Sequence, residues 1–382
     1  MEPLLIRESS KHRASLTELV FELTKHSSGF RRSLPHGVHH ALVHLVRSMN
    51  CYYSNLIEGH NTHPIDIERA LNNDYSTDIK KRDLQLEAKA HIEVQTWIEE
   101  SGLKEAPSSI ESILEIHRRF CENLPEDLLW VSKEKNIPGE FRTHDVQVGH
   151  HVAISPKSIL KFLKYFEVTF GRLGPNETVL ASAAAHHRFL WIHPFLDGNG
   201  RVARLMSHAM LLNSLETGGV WSISRGLARN VQIYKAHLAN CDLTRRNDLD
   251  GRGNLSEEAL VDFTKFFLET CIDQVRFMES LVEPNQLHKR IIGWAHEESK
   301  SGKLPAKSAL ILEAILFRGE LMRSEIPELL GDLSDRHARR LASALLKTGV
   351  ITSETPRAPL RLSFPARLAA EFTPGLFPGP SA

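Results

Sequence analysis

The chain has no run approaching 18 uninterrupted apolar residues, so no segment reads as a transmembrane helix and no membrane partner is expected. Cysteine is scarce. Cys51, Cys121, Cys241 and Cys271 lie far apart and form no CxxC pair, which excludes zinc-ribbon and thioredoxin-like chemistry. Four such thiols read as reduced, buried residues of a cytoplasmic protein. Net charge is absent as well: 47 Lys and Arg against 47 Asp and Glu give +0, so no global field advertises nucleic acid or a lipid surface. A local basic patch stays open. The 21 histidines contain no HExxH, and the pairs His39/His40, His150/His151 and His186/His187 are adjacent, so they point apart on a helix. A dedicated zinc site is therefore not expected. No internal repeat is visible, and the first 28 residues carry charges throughout with no apolar core, unlike a signal peptide.

What remains is an ordinary globular composition, 41% hydrophobic and 25% charged, in a length that suggests two or three domains. Helical periodicity dominates. Over 38–57, Val38, Ala41, Leu42, Leu45, Val46, Met49, Tyr53, Leu56 and Ile57 recur at three and four, with Gly59 as a stop. Further helices are expected at 83–100, 108–123 (Ser108 as N-cap, with Glu111 in a capping box), 156–171, 175–191, 198–213 and 256–283. Between them, 137–156 changes texture. Val146, Val148, Val152 and Ile154 alternate about Gly149, which predicts a small β-hairpin. SKSGKLP at 299–305 reads as a linker. Three short helices, at 306–317, 323–330 and 334–347, then precede two short strands, the pattern of a winged helix-turn-helix. The tail FTPGLFPGPSA is expected to fray.

The densest chemistry is HPFLDGNGRVAR, residues 193–204. Gly198-Asn199-Gly200 predicts a tight turn at a helix N-terminus, where successive N–H groups and the helix dipole form an anion cradle. Arg201 and Arg204 are three apart and can reach phosphate oxygens. Asp197 can hold Mg²⁺, which favours one carboxylate plus phosphate oxygens. His193 can serve as a general base. Together these residue types fit a phosphoryl-type transfer.

This stretch resembles, at every defining position, the HxFx[D/E]GNGRxxR signature of Fic-domain proteins, which are AMP transferases. The resemblance covers about 36–283, and GEFRTHDVQVG at 139–149 is similar to the family's β-hairpin flap. It implies a mainly α fold: a Fic helical bundle core with a small β-hairpin flap, plus the C-terminal winged helix-turn-helix domain. It implies that His193 deprotonates a Ser, Thr or Tyr hydroxyl of a target protein, which attacks the α-phosphate of ATP, the substrate, with release of pyrophosphate. Asp197 would hold Mg²⁺. Gly198, Gly200 and the Asn199 side chain would form the anion hole. Arg204 would bind the γ-phosphate with Arg201 assisting, and Phe195 would be buried. The flap around Thr143, Val146, Val148 and Gly149 would pair with an extended target segment. SRGLARNVQIY at 224–234 resembles the helix that lines the family's nucleotide site, with Asn230 and Tyr234 on the adenine side.

The helix over 38–58 ends in SNLIEG. A carboxylate in the last turn opposes the helix dipole, so Glu58 needs a compensating partner. Ser54, Glu58 and Gly59 resemble the family's [S/T]xxxE[G/N] inhibitory motif, which implies that Glu58 pairs with Arg204 and blocks the γ-phosphate. The same glutamate serves some relatives in removing AMP, so a de-AMPylase stays open. The expected divisions are an N-terminal helical region 1–100 containing the inhibitory helix 38–58, a catalytic core 101–283, a linker 284–305 and a winged helix 306–375. NDLDGRGNLSEE at 247–258 fails the calcium-loop pattern in both glycine alignments and reads as structural. Helix 334–347 carries Arg336, His337, Arg339, Arg340 and Lys347, where such modules read DNA. Yet ten Lys and Arg against eight Asp and Glu over 304–382 leave only +2. DNA and protein contact both stay open there, as does a nucleotide-sensing DNA-binding regulator for the whole chain. Homodimerisation is common in the family, but the residues place no interface.

Overall fold

A computed structural model describes residues 1–100, 102–331 and 334–378. Its helices run α1 (Arg13–Ser33), α2 (His36–Ile57), α3 (Pro64–Leu71), α4 (Ile79–Glu99), α5 (Ile110–Glu122), α6 (Ile159–Phe170), α7 (Pro175–Ile192), α8 (Asn199–Leu215), α9 (Ser224–Arg229), α10 (Val231–Cys241) and α11 (Glu257–Leu281). They continue as α12 (Pro284–Lys300), α13 (Ser308–Arg318), α14 (Ile326–Leu329), α15 (Asp335–Lys347) and α16 (Ala369–Phe372). The chain divides into two compact units, Met1–Ser28 with Asn50–Val275, and Gly29–Met49 with the chain from Arg276 on. These units do not follow the divisions expected at 100/101 and 283/284, and α2 contributes its two ends to different units.

In the first unit α7 and α8 pack along each other at the centre and are buried along most of their length. Ala181 and Ala183–Ala185 supply the small side chains that permit this close approach. The expected helices are present with shifted ends, the single helix expected over 224–234 is broken at Asn230 into α9 and the start of α10, and α1 and α3 are additional. The cap of α5 is Ser109, whose hydroxyl accepts from the Ser112 N–H at 3.1 Å, not Ser108 with Glu111. That one-residue shift removes the expected capping box. Two hairpins join the helices. β1 (Trp130–Val131) pairs with β2 (Glu134–Lys135), and β3 (Gln147–Val148) pairs antiparallel with β4 (His151–Val152). The second is the expected hairpin, but Val148 and Val152 are exposed, so its alternation buries little. In the 247–258 loop Asp250 accepts from the N–H groups of Arg246 and Glu258 and from the Ser256 hydroxyl, which ties the loop to the start of α11.

In the second unit the expected linker 284–305 is mostly helix. Pro284 opens α12, the Glu283 carboxylate accepts from the N–H groups of Asn285 and Gln286, and Leu287, Ile291, Trp294 and Ala295 form its buried face. Charged residues between those four positions masked the period. α13, α14 and α15 follow, with an antiparallel sheet in the order β5 (Glu320–Leu321), β7 (Leu360–Leu362), β6 (Ile351–Thr352). β5 had no sequence signal. The tail is anchored rather than frayed through Leu376: Phe372 packs edge-on against Trp294, ring centroids 5.5 Å apart, and Leu376 is buried. Residues 379–382 of that tail lie outside the described residues. All four cysteines are free and buried. Among the described residues no helix is long and apolar enough to cross a membrane.

Candidate active site

The loop 193–198 connects the two central helices of the first unit. His193 ends α7 in the left-handed region (φ 50, ψ 62), a conformation rare for a residue with a Cβ and typical of sites where function fixes the backbone. Its Nδ1 lies 3.3 Å from the Leu190 carbonyl, so Nδ1 carries the proton and Nε2 keeps its lone pair. Burial pushes its pKa down to about 4, so the ring is neutral at physiological pH.

Gly198 opens α8 at φ 83, which a side chain would strain. The first N–H groups of α8 have no intrahelical acceptors and form a nest, in which the Gly198 N–H is taken by the Asp197 carboxylate. The Asn199 side chain accepts from the Phe195 N–H and donates to the Phe195 carbonyl, at 3.0 and 2.9 Å. Both ends are therefore spent on shaping the loop, and anion binding by the turn falls to backbone N–H groups. Phe195 is fully buried and stacks on His117, centroids 3.8 Å apart at 2°. Asp197 is exposed; one oxygen accepts from the Gly198 N–H at 2.7 Å.

Glu58 lies beside this nest. Its Oε1 is 2.5 Å from Arg204 Nη2, while Arg204 Nε donates to the Ser54 hydroxyl at 2.8 Å and Nη2 also reaches the Ser54 carbonyl at 3.2 Å. Burial raises the Glu58 carboxyl, but Arg204 and Arg201 outweigh it and hold it below the usual carboxylate range. A Cβ on Gly200 would collide with Glu58 Oε1, so the motif's second glycine leaves the room that Glu58 occupies.

Arg201 does not share that arrangement. It is buried and pairs with Glu87 of α4. Tyr234 is also buried, not on an open adenine face: its hydroxyl meets His186 Nε2 at 2.7 Å and lies beside Arg204. His186 in turn meets the Ser207 hydroxyl at 2.9 Å. Asn230 lies between α9 and α10 and is exposed, its side-chain amide donating to the Gly226 carbonyl. In the flap, Thr143, Val148 and Gly149 are exposed and Val146 half-buried.

Four residues of this site carried no recognised signal. Arg142, nearly buried, donates to the carbonyls of His193 (2.7 Å), His144 (2.7 Å) and Ile154, and its own N–H bonds the Pro194 carbonyl. It thereby ties both arms of the flap to the motif. His117 of α5 accepts the Gly139 N–H at Nδ1, 3.0 Å, and faces the Asp197 carbonyl with Nε2, 3.2 Å. Glu87 and His60 are the other two. Only Arg142 stood in a segment that the sequence singled out.

Residues 107–211 match the Fic/DOC family. A protein adenylyltransferase Fic from Drosophila erecta is 30% identical over 120 residues, 31% of this chain and 22% of that protein. Another from Drosophila mojavensis is 26% identical over 209 residues, 53% of this chain and 40% of that protein. The chain thus spans less than half the length of these relatives. In fold it is similar to the crystal structure of a Fic family protein from Desulfovibrio desulfuricans G20, with TM-score 0.56 and 16% identity over 95% of this chain and 98% of that one.

Proposed function

We propose that this chain, whose residues 107–211 match the Fic/DOC family, is a protein adenylyltransferase restrained by its own Glu58. The observation that carries this reading is the pairing of a neutral His193, its Nε2 unprotonated, with a helix N-terminal nest whose Arg204 is already held by Glu58. The target's Ser, Thr or Tyr oxygen attacks the α-phosphorus of ATP as its proton passes to His193 Nε2. The bond from the α-phosphorus to the bridging oxygen breaks, and pyrophosphate leaves. The phosphate charges of bound ATP favour the protonated ring, which offsets part of the low basicity that burial gives His193. Backbone N–H groups at 199 and 200 bind phosphate oxygens. Arg204, once free of Glu58, binds the γ-phosphate.

Asp197 suits Mg²⁺: it is exposed, one oxygen is engaged with a single N–H, and Mg²⁺ accepts one carboxylate completed by phosphate oxygens and water. The ion would supply charge neutralisation on the phosphates. The exposed hairpin edge at Gln147–Val148 fits strand pairing by an extended target segment.

The second reading, a nucleotide-sensing DNA-binding regulator with a winged helix at 306–375, draws support from α15. It buries Ala338, Leu341, Ala342 and Leu345 and exposes Arg336, His337, Arg339 and Arg340. Automodification with α-labelled ATP and Mg²⁺ separates the readings. We expect strong labelling of Glu58→Gly, little of wild type and none of Glu58→Gly/His193→Ala. No labelling of any protein, together with sequence-specific DNA retardation, would favour the regulator. Release of AMP from a modified target by wild type, lost in Glu58→Gly, would favour the reverse reaction.

A further inference from the structure

Arg201 and Arg204 stand three apart on α8, yet only Arg204 meets the inhibitory glutamate. Arg201 is turned to another acid. Glu87 Oε1 accepts from Arg201 Nη2, and Glu87 Oε2 lies 2.7 Å from His60 Nδ1. Arg201 Nη2 is also 3.2 Å from that His60 nitrogen, and its guanidinium lies over the Phe120 ring at 5.3 Å. Arg201 and Glu87 are 6% and 5% exposed, so neither charge is held by water. Arg201 Nε is buried with no partner among the described residues.

From this geometry we propose that Glu87 is a positioning residue for the transfer reaction. It fixes Arg201 on the first turn of α8, apart from Glu58, and His60 joins it to the turn that carries Glu58. The proposal rests on the reading of Arg201 as a phosphate ligand. The physical case is one of burial. A guanidinium removed from water needs a carboxylate with good geometry, and without one nothing holds it in a single place from which to meet a phosphate. A Glu87-held Arg201 therefore presents a fixed positive charge to an incoming phosphate and leaves Glu58 to Arg204 alone. Only one of the two motif arginines then has to change partner when the brake opens.

The test is calorimetric titration of Mg²⁺-ATP into the full chain carrying Glu58→Gly, alone and with Glu87→Gln, with AMP transfer measured in parallel. We expect Kd and KM to rise about tenfold on adding Glu87→Gln, as for one charge-assisted phosphate contact, with kcat within about twofold. Glu87→Asp, which keeps the charge but withdraws it by one methylene, should give an intermediate Kd and also serves if Glu87→Gln does not fold. In a Glu58→Gly/Arg201→Met background, Glu87→Gln should add no further loss. An unchanged Kd with kcat falling in step with the folded fraction would overturn the proposal, and so would an additive loss in the Arg201→Met background. If Glu58→Gly binds ATP but transfers no AMP, the transfer reading fails on its own, and Kd still decides the role of Glu87.

Discussion

Ser54 and Glu58 hold Arg204 by different means, and single substitutions separate them. Ser54 is fully buried, and its hydroxyl accepts from Arg204 Nε. Ser54→Ala leaves that donor unpaired and weakens the hold on Arg204 by about 1.5 kcal/mol, the lower end for hydrogen bonds to charged groups. Basal automodification should therefore rise to a level between wild type and Glu58→Gly. A rate at or below wild type would show that Ser54 serves only to place the arginine for catalysis. The Glu58–Arg204 contact itself is partly open to solvent on the Glu58 side, whose side chain is 32% exposed. A brake of this kind is releasable in a way that the enclosed Arg201–Glu87 pair is not.

At the scale of elements, the flap depends on one side chain. Arg142 bonds carbonyls on both sides of the hairpin and in the motif loop, while the two-residue strands supply little pairing of their own. Arg142→Ala should lower stability by about 3 kcal/mol, the scale for removing a buried charged group and leaving several polar partners unpaired. Hydrogen exchange over 143–153 should speed up while α7 keeps its protection. Unchanged exchange in the flap would assign its order to the strands instead. Much of this architecture was legible in sequence. Three-and-four spacing exposed α2, an opening proline marked α7 and near-continuous apolar content marked α8, and the motif placed His193 and the nest on the loop between the last two. α12 was not legible, because the charged residues between Leu287 and Trp294 diluted its period and the Gly/Pro cluster after it drew the boundary. His117 and Glu87 were illegible for a different reason: each sits on a helix face that tertiary packing alone brings to the loop. The position of Arg142 in the flap stretch was visible, but its carbonyl partners were not.

For the whole molecule, burial of histidine sets the acid limit. His91 and His186 are pushed down to about 3, and His117, His187 and His193 to about 4, burial being the largest cause in each. Unfolded, each returns to about 6.5. Between those values the unfolded chain binds more protons than the folded one, so stability is full above about pH 6.5 and falls as pH drops toward 4. His60 has the opposite sign. Its hydrogen bond to Glu87 raises its pKa, so its contribution is present below 6.5 and lost as pH rises through that raised value. The five depressed residues outweigh it. Tm should therefore decline steeply from pH 7 to pH 5, and a flat Tm over that window would mean that these rings are protonated in the folded state.

AMP transfer by the His193 nest is probed most sharply by incubating Glu58→Gly with Mg²⁺ and ATP labelled at either the α- or the γ-phosphate. We predict stable protein-bound label from the α position only, abolished by His193→Ala, with the γ label recovered in pyrophosphate. Retention of γ label on the protein would mean phosphate rather than AMP transfer. It would contradict His193 as the base for attack on the α-phosphorus and Arg204 as the γ-phosphate ligand.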